Sequence, residues 1–198
     1  MNQHTNHLTT KRRTTLISKF CSKGGLLIAL VLVIALGSSL SCQSTIPNRA
    51  TLGETFPSVT GESLEGTPVS FPNGEPCVLL IGYKQKAQFD ADRWLLGLLQ
   101  LPIEIPLYEV PTIKGLFPRM IGSYIDNGMR GGIPSEDWQS VVTIYGGDAK
   151  TVAQFTGTES GNNMRVVLMD GEGQVLWFHD RGYSPRSLLE LKARIGEL

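Results

Sequence analysis

The stretch CVLLIGYKQKAQFDADRWLLGLL, Cys77 to Leu99, decides the architecture. Its first five residues are an unbroken apolar run bounded by Pro76 and Gly82, which suits a central strand covered on both faces. Phe89 to Leu99 then reads as a helix. Asp90 or Asp92 favours its N-terminus, and Trp94, Leu95, Leu98 and Leu99 form its apolar face. Between the two lies Tyr83 to Gln88, YKQKAQ. Many strand-loop-helix proteins of this size carry a reactive cysteine in that loop. Here the loop carries lysines and glutamines, so either a thiol chemistry is absent or the surface serves another purpose.

The same alternation continues on both sides of this stretch. Before Cys77, turn signals at Ser63-Leu64-Glu65-Gly66 and Pro72-Asn73-Gly74 predict short strands. After the helix, Ile103 to Val110, interrupted by Pro106, predicts a second strand, and Phe117 to Ile125 a helix opened by Pro118. Val141 to Tyr145 is a strand, followed by a short helix through Val152 and Phe155. Met164 to Met169 and Gln174 to Phe178 flank Asp170-Gly171-Glu172-Gly173 as a β-hairpin. Ser184-Pro185 opens a closing helix with Leu188, Leu189, Leu191 and Ile195 as its buried stripe. Strands alternating with helices predict an α/β layer architecture, and the terminal hairpin predicts a mixed sheet.

The N-terminus has a different character. Lys11, Arg12, Arg13, Lys19 and Lys23 precede the apolar run Leu26 to Leu36, which leads through small residues to Cys42. These are the parts of an export signal over residues 1–41, and the run falls short of the about 20 apolar residues a bilayer span needs. The pattern resembles a bacterial lipoprotein signal, with Cys42 as lipidation site and mature N-terminus, although Ser39 stands where an aliphatic residue is usual. An uncleaved anchor and ordinary secretion are the alternatives, and all three place the rest outside the cytoplasm. Residues 42–51 read as a polar tether and 52–198 as one domain. The expected location is a bacterial cell membrane or outer membrane, with the membrane reached through the lipid.

Charge and cysteine content narrow the function. Five of the eighteen basic residues precede Cys42, leaving thirteen against eighteen acids, a net of about −5 that disfavours nucleic acid. Of Cys21, Cys42 and Cys77, only Cys77 remains free in the mature domain, so no internal disulfide and no CxxC exists there. Cys77 opens a strand expected to be buried, which favours a small core hydrophobe over a reactive thiolate. His179, the one mature histidine, has no ligand cluster around it and is expected as a hydrated surface residue. Neither Gly146-Gly147-Asp148 nor Met129-Arg130-Gly131-Gly132 has phosphate-loop spacing, and turns explain both. No metal or other cofactor is expected.

The order of elements resembles a thioredoxin-like fold of the redoxin or peroxiredoxin branch: a three-layer sandwich with a mixed central sheet, an N-terminal extension and an extra strand-helix. Within that fold, several phrases resemble the thioredoxin-like assembly factors for the membrane sector of mitochondrial ATP synthase and their bacterial relatives. They are Gly82-Tyr83 through Ala87-Gln88-Phe89 to Arg93-Trp94, Tyr108-Glu109-Val110-Pro111-Thr112, Gly128-Met129-Arg130, Trp138 with VVTIY, and LMDGEGQVLWF. That resemblance implies an assembly or chaperone role at a membrane with no established catalytic step.

Polar and aromatic residues at the predicted junctions supply the candidate surface: Lys84, Gln88, Asp90, Arg93, Trp94, Glu109 and Arg130, with Lys114, Arg119 and Trp138 nearby in the pattern. Open α/β sheets bind ligands beyond the carboxyl ends of their strands, and Arg and Trp are frequent binding hot spots. The bland reading makes Trp94 core and pairs Arg93 or Arg130 with Glu109. The leading functional expectation is a membrane-anchored binding protein for a protein partner. A one-cysteine peroxidase or reductase using Cys77 is the enzyme alternative, and a small-molecule carrier built on Trp94, Trp138 and Trp177 is a third class.

Overall fold

In the computed structural model, which describes residues 45–115 and 126–198, the run at Cys77 is a fully covered strand. The strands are β1 (Val59–Ser63), β2 (Pro68–Phe71), β3 (Cys77–Gly82), β4 (Leu107–Ile113), β5 (Val142–Tyr145), β6 (Arg165–Met169) and β7 (Val175–His179). The helices are α1 (Gln88–Leu99), α2 (Gly146–Thr156) and α3 (Pro185–Ile195). Residues 126–130 are also helical, and Ser135–Ser140 form a 3-10 turn. The export signal, Cys42, Arg119 and the helix expected at Phe117 to Ile125 lie outside the described residues.

One mixed sheet runs β2-β1-β5-β4-β3-β6-β7. β3, β4 and β5 are mutually parallel, whereas β1, β2, β6 and β7 join antiparallel to their neighbours. β3 is apolar throughout because both of its faces are covered. Leu79 and Ile81 point into one core with Ala149 and Val152 of α2. Val78 and Leu80 point into the other with Ala91 and Trp94 of α1 and Leu188 and Leu191 of α3. Each such side chain contributes about 1.5–3 kcal/mol by leaving water. The result is a three-layer α/β/α sandwich, as the alternation of elements predicts.

The departures from expectation have physical reasons. β4 starts only after Pro106 and passes through Pro111, whose missing N–H falls where the β4–β5 ladder is interrupted, between the Glu109–Val141 bridge and the Thr112–Ile144 pair. Gly146-Gly147-Asp148 is the first turn of α2 rather than a loop. Leu99 and Leu189, expected in the buried stripes, are exposed at 78% and 59%. On α1 the buried side is Ala91, Trp94, Gly97 and Leu98, and α3 presses so close that a Cβ on Gly97 would lie 2.8 Å from Leu188 Cδ2. The segment expected as a tether joins the domain at Ile46, whose N–H donates to Thr158 Oγ1 at 3.0 Å. The hairpin turns at Gly173, held at φ +87°. Among the described residues, no helix is long and apolar enough to cross a membrane.

Candidate functional site

Parallel pairing places the carboxyl ends of β3 and β4 side by side, with Gly82 opposite Pro111. The start of β6 lies alongside, because Ile81 pairs with Arg165. Tyr83, Lys84, Lys114 and Arg165 therefore gather at one end of the sheet, where the chain leaves β3 through a 3-10 turn at Gln85–Ala87 to enter α1.

Tyr83 anchors this end. Its hydroxyl lies 2.6 Å from Thr156 Oγ1, and Thr156 Oγ1 is also 3.2 Å from the Val152 and Gly157 carbonyls. A hydroxyl that donates to a carbonyl must accept from its other partner, so Tyr83 is the donor. Burial raises the Tyr83 pKa. Arg165 Cζ lies 5.3 Å from the centre of the Tyr83 ring and Lys114 Nζ 5.9 Å from it, within cation–π range. Lys114 is pulled below the ordinary lysine range by desolvation first, then by the charges of Lys84 and Arg165.

The expected surface residues separate into three groups. Asp90 and Trp94 are buried, at 7% and 0% exposure, and correct the expectation that they meet a partner. Both oxygens of Asp90 are occupied, accepting the Met164 amide at 2.9 Å and the Tyr183 amide at 2.7 Å. Trp94 sits edge-on to Trp177, His179 and Tyr183, with ring centroids 6.1, 5.7 and 5.4 Å away. His179 is likewise no hydrated surface group: it stacks on Trp177, and its Nε2 donates to the Gly182 carbonyl at 2.7 Å.

Arg130 stands elsewhere. Its Nε donates to the Leu64 carbonyl at 2.7 Å, one Nη donates to Asn127 Oδ1 at 2.8 Å, and its guanidinium lies over Trp138. Leu64 follows Ser63, which pairs with Val142 at the amino end of β5, so Arg130 is at the opposite end of the parallel strands from Lys84. Glu109 pairs with neither Arg93 nor Arg130. It points beneath α1, where desolvation raises its pKa, an Asp92 charge adds to the rise, and a Gln88 hydrogen bond opposes it.

Lys84, Gln88 and Arg93 remain exposed. Around Arg93 the outward side of α1 carries Phe89, Leu96 and Leu99, exposed at 73%, 63% and 78%. At 100° per residue Phe89, Arg93 and Leu96 share one narrow face and Leu99 flanks it. The run Trp94-Leu95-Leu96-Gly97-Leu98-Leu99 signals this face in the sequence, since a helix of that period cannot bury six consecutive residues on one side.

Cys77 is at the other end of β3, about 17 Å from Gly82 at 3.3 Å per residue. It is fully buried, and burial pushes its thiol up to about 12, away from the thiolate form that reacts. Among the described residues, no three His, Cys, Asp or Glu side chains converge as a metal site.

Neither a protein-family model nor a curated protein sequence matches the chain. Solved structures do. A thiol peroxidase from Chromobacterium violaceum superimposes with a TM-score of 0.50 at 12% identity, covering 78% of this chain and 92% of that one. Yeast Sco1 gives 0.49 at 13% identity, covering 73% and 96%. The pneumococcal exposed lipoprotein thioredoxin from Streptococcus pneumoniae gives 0.45 at 12% identity, covering 72% and 100%. The fold is thus a thioredoxin-like sandwich, reached by a chain whose strand-to-helix junction carries Lys84 and Gln85 and no cysteine.

Proposed function

We propose that this chain is a membrane-tethered, extracytoplasmic binding protein that uses the thioredoxin-like scaffold to hold a protein partner and carries out no thiol chemistry. One observation carries the reading: the outward face of α1 exposes Phe89, Leu96 and Leu99 around Arg93, directly after the junction where a redox cysteine would stand. Large apolar side chains grouped on one helix face mark an interaction surface more often than scattered exposed leucines do. Arginine among apolar neighbours is a frequent anchor of such surfaces. The similarity of Gly82 to Trp94 and of Tyr108 to Thr112 to ATP synthase assembly factors supports a membrane protein as the partner, and an assembly role as the purpose. The basic lead, apolar run and Cys42 support the lipid anchor.

Co-purification from detergent-solubilised membranes tests this. The full chain is expected to bring down a defined membrane protein, and a Phe89→Ser/Leu96→Ser double variant of equal melting temperature to lose it. Equal recovery with the double variant would remove α1 as the binding face. Peroxide consumption abolished by Cys77→Ser would favour the enzyme alternative instead.

A further inference from the structure

Three cations meet at the carboxyl end of β3 and β4, and among the described residues no carboxylate forms an ion pair with any of them. Arg165 is fully buried, yet its guanidinium donates only to neutral acceptors: the Ser160 carbonyl at 2.8 Å, the Asn163 carbonyl at 2.9 Å and Asn48 Oδ1 at 2.9 Å. Its Nε has no hydrogen-bond partner among the described residues. Lys114 Nζ lies 5.9 Å from the centroid of the Tyr83 ring, which Arg165 also approaches at 5.3 Å. Lys84 lies over Gly161, whose Cβ, if it had one, would be 2.9 Å from Lys84 Cε.

No undescribed part of the chain can supply the counter-charge. All eighteen acids, from Glu54 to Glu197, are among the described residues, and the segments 1–44 and 116–125 contain none. The ion pairs of the described residues are Arg49–Glu54, Arg186–Glu190 and Arg194–Glu197. Asp180 acts on Arg165 only through space, without an ion pair. A buried charge held by neutral dipoles alone is costly, and two further cations beside it raise the local positive potential in a domain that is otherwise acidic.

We propose that Lys84 and Lys114, with Arg165 buried behind them, receive a carboxylate from an acidic segment of the partner protein. This rests on the partner-binding reading above and specifies the chemistry of the partner. A protein carboxylate fits better than a free anion because α1 begins four residues after Lys84 and turns Phe89 outward in its first turn. A segment with an acid beside apolar residues meets both features at once.

The test titrates the full chain in detergent micelles at low salt with a hexaglutamate peptide, a hexaglutamine peptide and inorganic phosphate, following tryptophan fluorescence or heat. The glutamate peptide is expected to bind, the glutamine peptide not to, and the affinity to fall as salt rises. Lys84→Gln/Lys114→Gln is expected to weaken binding at least tenfold at an unchanged melting temperature; the exposed Lys84→Gln alone serves if the pair disturbs folding. Equal binding of the two peptides, unchanged affinity in the lysine variants, or a phosphate response equal to that of the glutamate peptide would overturn the assignment. Membrane-partner capture that needs Phe89 and Leu96 but survives the lysine double variant would end this inference and leave the α1 reading standing. Glutamate binding without α1-dependent capture would do the reverse.

Discussion

Asp90 accepts the backbone amide of Tyr183 at 2.7 Å, which fastens the first turn of α1 to the chain entering α3. Its other oxygen takes the Met164 amide at 2.9 Å, ahead of β6. Asp90→Ala leaves the buried Met164 N–H and the part-buried Tyr183 N–H without acceptors and is expected to cost about 3 kcal/mol. Asp90→Asn keeps one acceptor and is expected to cost less. Urea unfolding measures both; a loss below about 1 kcal/mol for the alanine variant would show that the chain relaxes around the missing carboxylate.

Trp94 and Arg93 are neighbours in sequence with opposite roles. Trp94→Ala empties a fully buried site and is expected to destabilise by about 3–5 kcal/mol. Arg93→Ala removes an exposed side chain and is expected to change stability by no more than about 0.5 kcal/mol while weakening partner binding. Thermal unfolding alongside co-purification separates the two effects.

Cys77 is expected to be silent in the native state. With its thiol pushed up to about 12 by burial, it should not react with Ellman's reagent at pH 8, and should react fully once urea unfolds the domain. Rapid labelling of Cys77 itself in the folded protein, told from Cys21 and Cys42 by peptide mass, would mean that β3 opens at its amino end.

Glu109 sets a pH dependence whose sign follows from its desolvation beneath α1. Its pKa in the fold is above the unfolded value, so between the two the folded protein holds the extra proton. Stability contributed by the protonated carboxyl is present below the unfolded pKa and is lost as pH rises through the folded one. Glu109→Gln is expected to flatten that decline and to be the more stable form at neutral pH. Chemical unfolding from pH 4 to 8 would contradict this if the two proteins ran parallel.

The layered fold is legible in the sequence because apolar periodicity reports burial directly. Cys77 to Ile81 has no polar alternation since helices cover both of its faces, and Ser184-Pro185 starts α3 with a side-chain cap, Ser184 Oγ accepting the Ser187 amide at 3.1 Å. The site is less legible. A carboxylate at a helix start looks the same whether it faces solvent or caps distant amides, and only the tertiary approach of Met164 and Tyr183 makes Asp90 structural. Arg130 shares its residue type with Arg93 but is carried to the other strand end by the pairing of β1 with β5. Arg165 is not among the expected surface residues, although a single arginine heading the apolar strand RVVLM is itself a signal. Its importance depends on Tyr83 and Lys114, which are distant in sequence and meet only through the register of β3 with β4 and β6.

A photoreactive amino acid placed at Asp92, exposed between Leu96 and Leu99 on the outward face of α1, leaves Phe89, Arg93 and Leu96 intact for a protein partner. Irradiated in intact cells carrying the full chain, it is expected to give one discrete crosslinked membrane protein, lost when Phe89 and Leu96 are replaced by serine. A crosslinking pattern unchanged by those two substitutions, or no crosslink at all, would mean that α1 does not hold a partner.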